Sequence, residues 1–234
     1  RVGRGLRLHP AAVVAGLFET EVAAWRGVPQ SYECTELLDF SPGSERRVWL
    51  VPSFAHPAGT AALMPGFGPS LMHNMQRYRH LAAIAVMVHD QTEGRVTLED
   101  DRARLDYVPC DADRQQLALG ARAAGRILFA AGATEVTMPA VPPLVARTER
   151  ELDRITQDRF RPGDAELSAV HPLGTLPMSE DPRRGVTNSQ GRFHQIRGLW
   201  AVDGSLMPTS IGVPPQLTIH ALAAKVAAHV RAAL

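Results

Sequence analysis

This sequence of 234 residues has few cysteines, no long apolar run and almost no net charge. The two cysteines, Cys34 and Cys110, stand far apart in no metal-binding or redox spacing, so we expect reduced thiols. The longest apolar run, Leu81–Val88, is too short to cross a bilayer and predicts a buried strand. The net charge is only +1, with arginines scattered in pairs, so nucleic acid is not an expected partner.

What remains is an ordinary globular composition, with 45% apolar and 21% charged residues and enough chain for one sizeable core. No leader sequence is visible, but the chain begins at Arg1 rather than at a methionine, so its absence says little about the compartment. The cytoplasm is favoured, and membrane association is not indicated.

Apolar periodicity and turn residues predict a sheet flanked by helices. Strands are expected at residues 32–40, 47–51, 81–89, 95–99, 104–108 and 134–138. Residues 11–18 are compatible with a strand or a short helix, with the strand favoured, and residues 91–94 are expected to turn the chain back after 81–89. Helices are expected at 56–64, 69–79 and 147–157, with Pro65-Gly66 as a break, and after a cap at Asp111 or Asp113 up to Gly132. The fold class is therefore mixed α/β (α+β), with a largely antiparallel sheet.

Polar clusters in the middle of the chain give little sign of a metal site. Five acids form a cluster in this region; they are Asp90, Glu99, Asp100, Asp101 and Asp106. The three adjacent ones, residues 99–101, are expected to form a solvated loop. Seven histidines match no zinc-binding spacing and are expected to lie on the surface or in the core; they are His56, His73, His80, His89, His194, His220 and His229. We therefore predict no metal.

The last quarter of the chain has a more definite pattern. A short apolar strand at residues 199–202 leads into the turn Asp203-Gly204-Ser205 and then a loop rich in Pro and Gly. Pro214-Pro215 predicts the start of a long helix, since proline at the first helical position needs no N–H partner. Its apolar face is Ile219, Leu222, Val226 and Val230. The free N–H groups at such a helix start favour negative charge.

These same residues carry a family resemblance. The stretches HPLGT (from His171), LWAVDGSLMPTSIGV and PPQLTI resemble the C-terminal signature of the glucose–methanol–choline (GMC) flavin oxidoreductases. The wording is most similar to the cholesterol-oxidase and long-chain-alcohol-oxidase side of that family. The resemblance continues upstream in VHDQTEGRV, RILFAAGA and VGRGLRLHP, so it spans most of the chain.

The resemblance implies an FAD-dependent enzyme that oxidises the CH–OH group of an alcohol. His171 matches the family's catalytic histidine, and an imidazole suits this role because it accepts protons near neutral pH. Asp203 and Gly204 match residues that approach the ribityl and pyrophosphate part of the flavin. Pro215 and Gln216 match the helix start that stabilises the reduced flavin. An apolar alcohol is favoured as the small-molecule substrate.

The resemblance also implies that the chain consists of two parts with different functions. Residues 1–170 correspond to the substrate-binding domain, and residues 171–234 to the catalytic and flavin-contacting segment. The Gly-rich βαβ fingerprint that holds the ADP half of FAD is absent from the sequence. We therefore expect the FAD nucleotide-binding domain, in the same or a neighbouring polypeptide, to be a partner on which the C-terminal helix packs.

One position departs from the family pattern and keeps an alternative open. The family has Asn or His before the Pro that opens the last helix, whereas this sequence has Pro214. Because proline offers neither a side-chain donor nor an acceptor, a two-residue grip on the substrate oxygen would be reduced to one residue. An impaired or repurposed site is therefore an open alternative. The alternative is a non-catalytic substrate-domain module without bound flavin. A weaker alternative, a serine hydrolase using Ser205, lacks half of its motif because Met207 stands where glycine is required.

Overall fold

The computed structural model describes residues 1–28, 30–54, 56–64, 66–138 and 140–233, which form antiparallel sheets and helices. The strands are β1 (Arg4–Leu6), β2 (Ala11–Leu17), β3 (Val48–Ser53), β4 (Leu81–Val88), β5 (Gly94–Glu99), β6 (Arg102–Asp106), β7 (Glu135–Met138) and β8 (Leu144–Ala146). The α-helices are α1 (Pro57–Leu63), α2 (Pro69–Gln76), α3 (Asp111–Ala130) and α4 (Gln216–Ala233). The predicted fold class, a mixed and antiparallel sheet protein with flanking helices, is confirmed.

The chain forms two compact units, each assembled from separated segments. The first unit comprises residues 1–9, 89–110 and 169–234, and the second comprises residues 10–88 and 111–168. In sequence, the second unit is therefore inserted in two pieces between segments of the first. The predicted boundary between residues 170 and 171 concerns functional roles and stays a prediction.

The core of the second unit is a five-stranded antiparallel sheet with the strand order β3-β4-β2-β7-β8. Strand β4 is a central strand, which pairs with β3 along one edge and with β2 along the other. Ile84 and Val86 belong to the main hydrophobic cluster, whereas Met87 joins Trp49 and Val51 in a separate cluster. Because successive side chains of a strand point to opposite faces, both faces of β4 are buried, which explains its unbroken apolar run.

Helix α3 packs against this sheet because its apolar residues recur at three- and four-residue intervals. The buried side chains of this face are Leu117, Ala121, Ala124 and Leu128. Gly120 allows a close approach, since a Cβ there would lie 2.4 Å from Val86 Cγ1 and 2.7 Å from Val48 Cγ1. The helix would have to move away from the strands if residue 120 carried a side chain.

The first unit contains a three-stranded antiparallel sheet with the order β1-β5-β6. Helix α4 buries Val226 against Ala201 and Leu206. The predicted start of this helix is confirmed, because its first residue directly follows Pro215. The rest of its predicted apolar face is only partly buried.

Two strand predictions in the first half of the chain are wrong. Residues 32–40 form only single bridges through Cys34 and Leu38, and none of these nine residues is buried. Residues 91–94 do not return the chain beside β4, because β5 pairs with β1 and β6 instead. The chain passes from the second unit into the first between Val88 and His89, before this turn, and local periodicity does not reveal the change.

Two predictions in the second half are also wrong. The charged helix expected at residues 147–157 is a 3₁₀ turn at Glu149–Arg154, and Leu152 and Ile155 are buried. A spacing of three between the buried residues suits a 3₁₀ turn better than an α-helix. Residues 199–202 do not form the expected strand. They make one isolated bridge, between Trp200 and Arg192, because the segments beside them are loops that offer no continuous partner.

The remaining strand and helix predictions are confirmed within a few residues. Asp113, considered as a cap, instead lies buried inside α3 and pairs with Arg47 at 2.7 Å. The break expected at Pro65 lies outside the described residues. None of the helices in the described part of the chain has both the length and the hydropathy that a membrane span requires.

Candidate active site

The first unit contains a cleft of about 650 Å³. All five site residues predicted from the sequence line it; they are His171, Asp203, Gly204, Pro215 and Gln216. Apolar side chains complete its walls; they are Leu6, Val170, Pro172, Leu173 and Ile219. The structure thus brings together residues that are up to 45 positions apart in the sequence. His220, which was not among the predicted site residues, also lines the cleft.

The loop that carries His171 is fixed to the segment that follows β1. Two backbone hydrogen bonds join Arg7 and Leu173, at 3.0 and 2.9 Å. Gly174 passes so close to Gly5 that a Cβ on it would lie 2.1 Å from the Gly5 carbonyl oxygen. A larger residue at position 174 would push the loop away, which explains why the motif His-Pro-Leu-Gly ends in glycine.

The imidazole of His171 is held in its neutral form at neutral pH. The side chain is partly buried, and its Nδ1 atom is enclosed without a hydrogen-bond partner among the described residues. Burial lowers the pKa of His171 below its ordinary value of 6.5, because the charged ring would lose hydration. A neutral imidazole has a lone pair that can accept a proton.

Asp203 shapes a second part of the cleft. Its Oδ1 accepts the Ser205 N–H at 2.9 Å and also the Ser205 hydroxyl, which opens a short 3₁₀ turn. The carbonyls of Gly204 and Ser205 accept the N–H groups of Gly174 at 3.3 Å and Leu176 at 2.9 Å. The Asp-Gly turn and the His171 loop are therefore joined by hydrogen bonds. The Ser205 hydroxyl donates to a carboxylate, which gives no support to a serine hydrolase.

The third part of the cleft is the N-terminus of α4. The Ile219 N–H donates to the Pro215 carbonyl at 2.8 Å. Backbone N–H groups earlier in the helix have no intrahelical acceptor. Because Gln216 lines the cleft, these donors and the helix dipole favour negative charge at this end of the helix. Pro214 is exposed and is not among the described residues that line the cleft.

A second histidine lies behind this site, and sequence reasoning missed it. His9 is 1% exposed, and its ring packs edge-on against His171 with the ring centroids 5.6 Å apart. Its Nε2 accepts the Gly212 N–H at 2.9 Å. Burial is the main cause that lowers the pKa of His9 to about 4; the Asp90 carboxylate opposes this shift, and His171 and His89 add to it.

The three adjacent acids of the cluster are exposed as expected, whereas Asp90 is buried. This residue is 2% exposed, and its carboxylate accepts the N–H groups of Leu8 at 3.1 Å and His9 at 3.3 Å and the Tyr107 hydroxyl at 2.7 Å. The other four acids of the cluster are exposed. The available signal was the place of Asp90 directly after a buried strand, whereas the others lie in or beside an exposed hairpin. In the part of the chain that the structure describes, no group of three His, Cys, Asp or Glu residues could hold a metal.

Comparisons of sequence relate this chain to known proteins. A family model described as GMC oxidoreductase, which represents the C-terminal part of that family, matches residues 90–223 of this chain. An uncharacterised GMC-type oxidoreductase of Mycobacterium tuberculosis is 36% identical over 232 residues, which cover 97% of this chain and 35% of the relative. Long-chain-alcohol oxidase FAO3 of Arabidopsis thaliana is 27% identical over 242 residues, which cover 95% of this chain and 32% of the relative. A cholesterol oxidase of Acinetobacter baumannii is 37% identical over 63 residues, which cover 27% of this chain and 11% of the relative. The chain spans about a third of the length of the first two relatives.

Solved structures give the same fold. Pyridoxine 4-oxidase from Mesorbium loti superposes with a TM-score of 0.66 at 17% identity, over 97% of this chain and 43% of that one. Formate oxidase of Aspergillus oryzae, in a structure concerned with FAD modification, superposes with a TM-score of 0.62 at 17% identity, over 99% and 47%. At this identity the likeness supports the fold alone. From the family match over more than half of its length, and from its relatives, the chain belongs to the GMC oxidoreductase family.

Proposed function

We propose that this chain forms the substrate-side part of an FAD-dependent oxidoreductase that acts on the CH–OH group of an alcohol. The observation that carries the proposal is the convergence of His171, the Asp203-Gly204 turn and the start of α4 on one cleft. The FAD-binding domain of the same or a neighbouring polypeptide would complete the site. The relatives that are alcohol oxidases support the class of reaction.

The residues of the cleft fit a flavin. The first turn of α4 offers backbone donors and a positive dipole end where a reduced flavin would carry negative charge. Pro215 and Gln216 would lie against the flavin ring, and Asp203 and Gly204 would hold its ribityl and pyrophosphate part. When bound, FAD would supply the acceptor for the hydride that leaves the alcohol carbon.

His171 would take the proton of the substrate hydroxyl. Because its Nδ1 is enclosed, Nε2 is the ring nitrogen available to a molecule in the cleft. The lowered pKa keeps this nitrogen unprotonated at neutral pH, so the base is ready when the alcohol binds. General base catalysis of this kind contributes about 10²–10⁴-fold to the rate.

The substrate would be an apolar alcohol. Val170, Leu173 and Ile219 give the cleft apolar walls beside His171, and no described residue that lines it is a lysine, an arginine or a glutamate. Such walls favour the hydrocarbon part of an alcohol through burial of apolar surface. The long-chain-alcohol oxidase among the relatives is in keeping with this class of substrate.

The test is the reduction of the flavin by alcohol, followed without oxygen by stopped-flow absorbance in a protein that combines this chain with its FAD-binding domain. His171→Ala should slow this reduction at least about a hundredfold, because the hydroxyl proton then has no acceptor. The control is His194→Ala, since His194 bonds the Ser179 carbonyl at 2.9 Å and does not line the cleft. A near-normal rate for His171→Ala would remove this residue from the mechanism.

A second candidate is a non-catalytic module of the same family. Pro214 favours it, because the residue before the helix start can neither donate nor accept a hydrogen bond through a side chain. In this case the protein that combines this chain with its FAD-binding domain would show no flavin reduction by any alcohol tested. Flavin reduction in the unmodified protein would exclude the module.

A further inference from the structure

We infer that His9 is a positioning residue of this site, which holds the loop before α4 and the ring of His171 in one arrangement. The inference deepens the proposed function and rests on it for the catalytic consequence. His9 itself does not line the cleft, so its effect on a reacting molecule would pass through His171 and the helix start.

The first step is the contact between His9 and the loop. The Gly212 N–H is buried, and its acceptor is the Nε2 atom of His9 at 2.9 Å. Gly212 stands three residues before Pro215, so this bond fixes the chain where it enters α4. The same loop is fixed at a second point, where Nε2 of His89 lies 3.2 Å from the Ser210 carbonyl oxygen. The position of the helix start therefore depends on two imidazoles, of which His9 is buried and His89 is partly buried.

The second step is the set of contacts that fixes the backbone at His9. The Asp90 carboxylate accepts its N–H and that of Leu8, so the backbone is fixed from one side. His9 has a φ of 47°, a left-handed conformation that a residue other than glycine adopts at a cost. Arg7 adds a bond from its guanidinium to the Thr92 carbonyl at 2.9 Å. The ring of His9 therefore projects from a backbone with little freedom to move.

The third step is the ring contact and the protonation state. The edge-on packing at 5.6 Å limits how the ring of His171 can turn. Because Nε2 of His9 accepts a hydrogen bond, the neutral ring carries its proton on Nδ1, and a doubly protonated ring could not accept it at all. The groups that face His9 are Asp90, His89 and His171. His9 thus holds the loop only while it is neutral.

The experiment follows the Gly212 amide by NMR in this chain. In the unmodified chain, its amide signal should move as the pH falls through about 4, when His9 takes up a proton. His9→Leu removes the acceptor and should speed hydrogen exchange of the Gly212 amide about 5- to 150-fold, as expected when a buried donor loses its partner. His9→Gln offers an amide oxygen at a reach similar to that of Nε2 and should keep the exchange within about threefold of the unmodified chain.

The matched control is His194→Leu, which removes an imidazole that bonds a backbone carbonyl elsewhere in the same unit. This variant should leave both the Gly212 amide and the ring signals of His171 unchanged, whereas His9→Leu should shift the His171 ring signals. In the flavin-containing protein, His9→Leu should slow flavin reduction about 10- to 100-fold and His9→Gln should restore most of the rate.

Two results would overturn the inference. One is a Gly212 amide that neither titrates near pH 4 nor loses protection in His9→Leu. The other is an equal loss of flavin reduction in His9→Leu and His9→Gln, since the acceptor would then not matter. If His9→Leu does not fold, the titration of the unmodified chain still decides. If the NMR results hold while His171→Ala keeps a normal rate, the proposed function fails and the hold of His9 on the loop stands.

Discussion

Replacement of Asp90 should destabilise the first unit more than replacement of an exposed acid in the same cluster. The buried Asp90 carboxylate accepts the N–H groups of Leu8 and His9. In Asp90→Ala both donors lose their acceptor, and because a hydrogen bond to a charged group contributes about 1.5–3 kcal/mol, the free energy of unfolding should fall by about 3–6 kcal/mol. Asp90→Asn keeps one acceptor oxygen and should cost about half as much. This sum counts only the two backbone donors, although the Tyr107 hydroxyl also donates to the Asp90 carboxylate.

The measurement is urea unfolding of the chain, followed by tryptophan fluorescence. Trp200 belongs to the first unit, whereas Trp25 and Trp49 belong to the second, so Trp25→Phe with Trp49→Phe isolates the signal of the first unit. The control is Asp106→Asn in this background, because Asp106 is exposed in β6 and should leave the unfolding midpoint unchanged. Equal midpoints for Asp90→Ala and this control would refute the reasoning.

Three further predictions concern the helix start, the second unit and pH. Pro214→Asn should raise the rate of flavin reduction, since it supplies the missing side-chain donor and acceptor; an unchanged rate would indicate a repurposed site. Gly120→Ala should lower the urea midpoint, because overpacking against Val48 costs about 1–3 kcal/mol, against a helix gain of about 0.5–1 kcal/mol. Since the pKa of His9 is lowered to about 4, the unfolded chain binds more protons between pH 4 and 6.5, and stability should rise with pH in this window by up to about 3 kcal/mol. Urea midpoints at pH 4.5 and 7 measure this rise, and His9→Gln, which cannot titrate, should reduce it.

Features that depend on neighbouring residues could be predicted from the sequence. The apolar run of β4, the three- and four-residue spacing in α3 and the proline before α4 each specify an element by local rules. The site residues were predicted in another way, from the resemblance of short motifs near the C-terminus to those of the GMC family. Their convergence on one cleft is not local, because backbone hydrogen bonds join the His171 loop to the Asp-Gly turn at residues 203–204 and to the distant segment after β1.

Features that depend on distant residues could not be predicted. His9 is joined to Asp90, 81 residues away, and to Gly212, 203 residues away, and no periodicity encodes such contacts. Asp90 looked like its acidic neighbours because composition does not tell which carboxylate meets buried backbone N–H groups. The strand expected at residues 32–40 failed for a related reason, since a strand needs a partner along its whole length and this segment meets one at two points only.

The insertion of one unit within the other has a consequence for the order in which the protein is made. Strand β1 is synthesised before the other strands described here, but it has no partner until β5 follows, and the cleft lacks the start of α4 until residue 216. Residues 10–168, which contain all five strands of the larger sheet, are synthesised earlier, so this sheet can form while the cleft is still incomplete. A polypeptide that ended before residue 212 would therefore contain every strand of the five-stranded sheet but would lack one side of the cleft.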